Sequence, residues 1–145
     1  MNDKDMPEII TGGNYTDNRG TLTYFNDFNL IPVKRLYILE HPDTCVIRAW
    51  QGHQHENKWF HVVAGSFKFI LVRPDNWNSP SPSLSCQEFV LCARDNQVFH
   101  VPGGYATGFK AVEQDSKMLV FSNFSVEESL NDDFRFDKDK WYNWY

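Results

Sequence analysis

The 145-residue sequence has few cysteines, no long apolar run and no excess of basic charge. Its three cysteines, Cys45, Cys86 and Cys92, share no close spacing, which argues against a disulfide framework or a zinc knuckle. No run approaches membrane-spanning length, and the opening segment MNDKDMPEII has no apolar stretch of the signal-peptide type. We therefore expect reduced, mostly buried thiols, no membrane partner and a cytoplasmic protein.

The charge balance limits the classes of ligand. A net charge of -5 and a pI near 5.4 provide no broad basic surface, so we expect no nucleic-acid partner. A small anion needs only a few well-placed Arg or Lys residues. Apolar residues make up 41% and aromatic residues 16%, which favours a globular β-rich protein, and the length predicts one domain over residues 1–145.

Short strand patterns recur without a long helical period, which predicts an all-β sandwich or barrel. The predicted strands lie at about 32–39, 87–92, 97–101 and 117–124, with a hairpin of 59–64 and 66–73 turning at Gly65. On the first of them, Arg35, Tyr37 and Leu39 share one face. The motif PGGYATG is interpreted as a turn.

The remaining segments are predicted to be loops and termini. Residues 1–12 form a loose lead-in, and the Pro/Ser-rich stretch 73–85 forms the longest loop. The C-terminal tail, 125–145, is expected to begin with a short helix within 126–132. Its aromatic cluster of Trp141, Trp144 and Tyr145 is predicted to pack on the barrel or on a second subunit.

The stretch 47–66 gathers several titratable groups inside an apolar run. In an extended strand, His53 and His55 would point the same way, and Lys58 follows three residues later. A histidine of near-neutral pKa can remove a proton from carbon next to a carbonyl, while an ammonium stabilises the enolate oxygen. The alternative is that His53 and His55 are structural strand residues whose ring nitrogens are hydrogen-bonded and have no chemical role.

A metal site is the second interpretation of this stretch. In many jelly-roll barrels, a His-x-His pair supplies the first two ligands of a metal site. A Glu shortly before a Gly and a His after a PxGxx turn supply the other two. Here Lys58 and Thr107 stand at those two positions. An ammonium disfavours a neighbouring cation, although Glu56 could substitute through a shift in register. We expect no metal and no cofactor.

Several motifs together resemble the cupins that act on dTDP-4-keto-6-deoxyhexoses. These are the sugar 3,4-ketoisomerases (WxcM-like) and the dTDP-4-dehydrorhamnose 3,5-epimerases. DNRGTL (17–22) resembles their D-x-R-G segment, PVKRLYIL resembles KRVYYI, and GHQHENKW resembles the HAH segment. PGGYATGF (102–109) resembles P-x-G-F-A-H-G-F, and VFSNFSVEE resembles the end of the last barrel strand.

The resemblance implies a double-stranded β-helix (jelly-roll, cupin) fold in a homodimer that serves deoxysugar synthesis for surface polysaccharide. His53 and His55 would supply the base, with His55 preferred, and Tyr37 would line the pocket. From the strand pattern alone, Tyr37 is either a core aromatic or a proton donor in a cavity. The substrate-binding residues would be Arg19 on the diphosphate, with Arg48, Lys58, Arg73 and His100 around the substrate. Arg19 would reach the diphosphate in its own subunit or in the neighbouring subunit of the dimer.

Departures from the family motifs favour one reaction over the other. The epimerase histidine of the PGGYATGF motif is Thr107, and the epimerase tyrosine acid falls near Leu119 or Val120. A 3,4-keto shift needs one base on one face of the ring, whereas 3,5-epimerisation needs a donor on the opposite face. The prediction is therefore a 3,4-ketoisomerase, with a 3,5-epimerase, a metal-dependent oxygenase or a non-catalytic sugar-binding cupin as alternatives.

Overall fold

The computed structural model describes residues 5–145, which form twelve strands and one short helix. The strands are β1 (Glu8–Thr11), β2 (Gly13–Asp17), β3 (Gly20–Tyr24), β4 (Arg35–His41), β5 (Ile47–His53), β6 (Lys58–Ala64), β7 (Ser66–Val72), β8 (Cys86–Cys92), β9 (Gln97–Val101), β10 (Tyr105–Ala111), β11 (Ser116–Ser122) and β12 (Phe134–Arg135). The helix is α1 (Val126–Leu130), and a 3-10 turn spans Ala93–Asp95.

Two five-stranded antiparallel sheets enclose the core. Sheet 1 has the order β1-β9-β6-β11-β4 and sheet 2 the order β12-β5-β10-β7-β8, while β2 and β3 form a separate hairpin. Alternate side chains of a strand point to opposite faces, and on β11 Met118 and Val120 point inward. The centre is filled by an aromatic interior made of Phe60, Phe67, Phe69, Phe99 and Phe109.

The predicted hairpin at Gly65 is wrong. β6 pairs with β9 and β11 in sheet 1, whereas β7 pairs with β8 and β10 in sheet 2. Gly65 has a φ of 69°, which suits a sharp change of direction. The same glycine signal therefore serves a corner between two sheets, and local sequence does not distinguish a corner from a hairpin.

Two strands lie where the sequence predicts irregular chain. β10 occupies most of the predicted PGGYATG turn, and its Gly108 lies under Trp144, whose ring would be 2.7 Å from an added Cβ. β1 lies inside the predicted lead-in and pairs with β9. Residues 1–4 of that lead-in lie outside the described residues.

The tail covers the outer face of sheet 2. Helix α1 begins after Ser125, whose side chain forms a capping box with Glu128. The helix lies within the range 126–132 in which the sequence predicts one. Trp144 is 3% exposed and packs with Trp50 and Ile70, which confirms packing on the barrel, whereas Tyr145 is exposed. Within the described part of the chain, no helix is both long and apolar enough to span a membrane.

Candidate active site

Strand ends bring a set of polar side chains together at one end of the barrel. β4 begins at Arg35, β6 begins at Lys58, and Ser122 at the end of β11 is opposite both of them. β5 ends at His53, which is opposite Tyr105 of β10. We call this region the polar end and define it by Arg35, His53, Glu56, Lys58, Ser122 and Ser129.

A cavity of about 240 Å³ opens between the polar end and the aromatic interior. Its polar lining consists of Tyr37, Arg48, Gln51, His53, Lys58, Thr107 and Arg135. Sites for whole drug-sized ligands occupy roughly 300–1,000 Å³. This cavity therefore suits one ring-sized group, and a larger ligand would extend outside it.

His53 has the geometry of a general base. Its Nδ1–H donates to the Asp132 carbonyl oxygen at 2.7 Å, which assigns the ring proton to Nδ1, because a carbonyl oxygen can only accept. Nε2 is buried and finds no hydrogen-bond partner within residues 5–145. The lone pair of Nε2 is therefore available to a bound ligand.

The surroundings keep this imidazole neutral. Burial and the neighbouring Lys58 ammonium lower the pKa of His53, whereas Glu56 and Asp132 act in the opposite direction. The net pKa lies below the ordinary value for histidine. At neutral pH the ring is therefore neutral, with its single proton on Nδ1, which is the state that a general base requires.

The structure separates His53 from His55. β5 ends at His53, and His55 follows in a bend, exposed and outside the cavity lining. The expectation that both face the same way is wrong, because side chains alternate strictly only while the strand continues. Asp132 binds this bend through three backbone N–H groups, those of Gln54, His55 and Glu56, at 2.7–2.8 Å.

Glu56 lies beneath His53 with its side chain fully buried. The carboxylate accepts hydrogen bonds from Ser129 at 2.6 Å, from Ser122 at 2.7 Å and from Arg35 at 3.2 Å. These donors occupy the oxygens that a substitute metal ligand would need. No group of three or more His, Cys, Asp or Glu side chains in the described part of the chain could hold a metal ion.

Lys58, Tyr37 and Arg48 all line the cavity, as predicted for the pocket. Lys58 is 7% exposed and donates to Gln51 Oε1 at 3.2 Å. The Tyr37 ring lies near two cations, with Arg35 at 5.4 Å and Lys58 at 5.8 Å from its centroid. Arg48 Nε donates to His41 Nε2 at 3.1 Å.

Three predicted substrate-binding residues lie outside the cavity lining. Arg19 is at the tip of the β2–β3 hairpin, 82% exposed and paired with Asp17 at 2.6 Å. Arg73 donates to the Asp5 carbonyl oxygen at 2.8 Å and to the Tyr105 hydroxyl at 2.9 Å. His100 stacks on Trp59 and bonds Asn57 through Nε2 at 2.8 Å, so its geometry is that of a structural residue.

Sequence reasoning missed two C-terminal contributors to the site. Arg135 on β12 lines the cavity because β12 pairs with the end of β5, where Arg135 is opposite Gln51. Asp132 orients His53 from almost eighty residues away. The local signal is limited to the acidic pair Asp132 and Asp133, two residues after the end of α1, and a charged tail of this kind is usually solvated.

A larger groove of about 630 Å³ lies on the outer face of sheet 1. Its lining is mainly apolar, with Phe25, Phe28 and Phe121 among its residues. His61 is its one titratable side chain, and its Nδ1 already donates to the Gln97 carbonyl oxygen. The smaller cavity therefore holds the groups capable of chemistry.

Solved structures resemble this chain over most of its length. A 3,4-ketoisomerase from Helicobacter canadensis superposes with a TM-score of 0.70 at 20% identity, covering 90% of each chain. A mutant 3,4-ketoisomerase from Thermoanaerobacterium thermosaccharolyticum in complex with TDP-4-keto-6-deoxyglucose gives 0.70 at 18% identity, covering 90% of this chain and 87% of that one. A dTDP-4-dehydrorhamnose 3,5-epimerase from Bacillus anthracis gives 0.68 at 14% identity, covering 88% and 79%.

This likeness confirms the predicted all-β double-stranded β-helix fold. The neighbours are the two classes of enzyme that the sequence motifs resemble. No protein-family model matches the sequence, and no curated protein does.

Proposed function

We propose that this chain is a metal-independent isomerase of a dTDP-linked 4-keto-6-deoxyhexose and catalyses a 3,4-keto shift. One observation carries the proposal: a neutral His53 with its proton held on Nδ1 presents a free Nε2 lone pair at the cavity. The likeness to 3,4-ketoisomerases supports the same substrate class. The base is therefore assigned to His53, in preference to the exposed His55.

The reaction balances with one base and no external oxidant or reductant. His53 Nε2 takes the proton from C3, the C–H electron pair becomes the C3=C4 double bond, and negative charge develops on O4. The Lys58 ammonium stabilises that oxygen. A proton moves from O3 to O4, and His53 then returns its proton to C4 on the same face, which leaves a ketone at C3.

The positively charged side chains that line the cavity would bind the diphosphate of the substrate. Arg48 and Arg135 line the cavity together with Lys58. Because the cavity accommodates one ring, the sugar would occupy it and the diphosphate would lie outside it near the guanidinium groups. Guanidinium groups bind phosphate oxygens through paired hydrogen bonds.

The decisive experiment is NMR of dTDP-4-keto-6-deoxyglucose in deuterium oxide with chelator-treated protein. We expect a 3-keto product, with deuterium confined to the C3 and C4 positions. No exchange and no product with the folded wild-type protein would refute the function. Activity that disappears on chelation and returns with a metal would refute the metal-independent mechanism and favour a metal-dependent oxygenase or related cupin.

A 3,5-epimerase is the second candidate, and the position of Tyr37 is the observation that favours it. Tyr37 lines the same cavity as His53 and carries a hydroxyl that could protonate the opposite face of an enolate. Deuterium at C5 in the NMR experiment would support the epimerase. Loss of that signal in Tyr37→Phe, with exchange at C3 retained, would assign the acid to Tyr37.

A homodimer is part of the proposal, and exposed apolar side chains support it. Leu36 and Ile38 on the edge strand β4 are each 53% exposed, Ile31 is 91% exposed, and Leu22 and Tyr15 on the β2–β3 hairpin are also exposed. Exposed apolar surface of this kind is typical of protein interfaces. The hairpin could then carry Arg19 to the diphosphate in the neighbouring subunit.

A mixing experiment tests this arrangement. If Arg19 acts across the interface, inactive Arg19→Gln and His53→Asn proteins should regain activity when their subunits exchange, because a mixed dimer holds one intact site. Light scattering that finds only monomers would contradict the dimer. The expectation of mostly buried thiols is wrong, because Cys45 and Cys86 are exposed. We also propose a cytoplasmic location in surface-polysaccharide synthesis, in keeping with free thiols at exposed positions.

A further inference from the structure

We infer that Glu56 is a positioning residue whose buried carboxylate stabilises the imidazolium that His53 forms when it takes a proton. Glu56 does not line the cavity, so it would act through His53 without touching the substrate. The catalytic consequence rests on the proposed function, whereas the electrostatic contact itself does not.

The two carboxylate oxygens have different partners. Oε2 accepts from Ser122 and from Arg35. Oε1 accepts from Ser129 at 2.6 Å and lies 3.5 Å from His53 Nδ1. One oxygen is thus directed at the ring nitrogen opposite the one that faces the cavity.

A purely structural role would not require this second contact. A buried carboxylate is costly unless it is paired and hydrogen-bonded, and Arg35, Ser122 and Ser129 already meet that need. Nδ1 likewise has its hydrogen-bond acceptor in the Asp132 carbonyl oxygen. What the 3.5 Å contact adds is a negative charge beside a ring that becomes positive during the reaction.

The charged groups around His53 come from several elements. Lys58 on β6 opposes protonation, whereas Glu56 and Asp132 favour it. Asp133 also interacts with the ring, and Arg35 on β4 forms an ion pair with Glu56. Lys58 thus keeps the free base neutral, and Glu56 stabilises the charge after proton transfer.

NMR titration of the His53 ring in the free protein tests the inference directly. Glu56→Gln should lower the pKa of His53 by about one unit, because an opposite charge within about 4–6 Å typically shifts a pKa by one to three units. The matched control is Glu128→Gln, which removes an exposed carboxylate paired with Lys34 and should leave the His53 titration unchanged.

A second variant should shift the pKa of His53 in the opposite direction, and it leaves the Glu56 carboxylate in place. Ser129→Ala removes the hydroxyl bound to Oε1 and leaves more negative charge available to His53, so the pKa of His53 should rise. Loss of packing would not produce opposite shifts in the two variants. An unchanged His53 pKa in Ser129→Ala, or in a folded Glu56→Gln, would overturn the inference.

The rate profile separates this inference from the proposed function. In Glu56→Gln, the acid limb of isomerisation should move to lower pH and the plateau rate should fall about tenfold, as expected for a weaker base. If the His53 titration shifts in Glu56→Gln but the wild-type protein shows no isomerase activity, the electrostatic contact is supported and the proposed function is refuted. Full activity with an unshifted profile would refute the role of Glu56 alone.

Discussion

The aromatic interior and the polar end are two regions of one barrel that are almost equally hidden from water. Phe67, Phe69 and Phe99 are fully buried, and at the polar end His53 is 6%, Glu56 1% and Lys58 7% exposed. In the aromatic interior, burial stabilises the fold because apolar surface leaves water. At the polar end, the same burial acts together with the Lys58 ammonium to lower the pKa of His53, which keeps its imidazole neutral.

His41 shows that burial alone does not make a base. Burial and Arg48 lower the pKa of His41, and its ring lies against Phe67 and Phe109 with centroids at 5.3 and 5.9 Å. Its Nε2, however, accepts a hydrogen bond from Arg48, so that lone pair is occupied. His53 differs because its occupied nitrogen is the one that faces away from the cavity.

The largest expected effect is at the polar end. His53→Asn should reduce isomerase turnover by about 10²–10⁴-fold, because it removes the only base that we assign. His55→Asn is the matched control, and its exposed position predicts a change of no more than a few fold. Initial rates with dTDP-4-keto-6-deoxyglucose decide the matter, and the reverse order would assign the base to His55.

The next largest effect is in the aromatic interior. Phe69→Ala should lower the free energy of unfolding by about 3–5 kcal/mol, because it removes a large side chain from a packed core. Phe69→Leu fills part of the space that the alanine variant leaves empty, so it should lower the free energy of unfolding clearly less. Urea unfolding monitored by tryptophan fluorescence measures both. A loss below about 1 kcal/mol for the alanine variant would show that this region is loosely packed.

A substitution at the polar end should affect turnover more than stability, which distinguishes this region from the aromatic interior. Lys58→Met replaces a buried cation with an apolar chain of similar length, so the free energy of unfolding should change by no more than about 1 kcal/mol or should increase. Turnover should nevertheless fall, since the enolate oxygen loses its ammonium. Lys68→Met, which lies over the Tyr142 ring away from the cavity, should keep full turnover. A large loss of stability in Lys58→Met would make Lys58 structural.

The smallest effect concerns pH. The pKa values of His41, His53 and His100 are lowered in the folded state, with burial as the first cause. The unfolded chain therefore binds more protons than the folded protein as the pH falls through the ordinary histidine pKa of about 6.5, and stability should fall as the pH drops from about 7.5 to 5.5. Thermal unfolding across that range should show a falling Tm. His53→Gln should flatten the decline in part, and a Tm that rises towards pH 5.5 would contradict the sign.

Much of the fold could be predicted because strand patterns are local. Alternation on β4 assigned Arg35, Tyr37 and Leu39 to one face, and Tyr37 and Leu39 do line the cavity. The predicted strands near β8, β9 and β11 agree with the structure to within two residues. β10 was missed because Gly108 looks like a turn signal, whereas in the fold it makes room for Trp144.

Local sequence patterns suffice to predict an all-β chain and a stretch in which a histidine and a lysine come close together. Contacts between distant segments are needed to show that His53, and not His55, lines the cavity, that Arg135 lines it too and that Asp132 orients His53. Alternation along a strand is set by neighbouring residues, but the point at which a strand ends depends on hydrogen bonds to distant segments, here to the backbone of residues 54–56 from the Asp132 carboxylate.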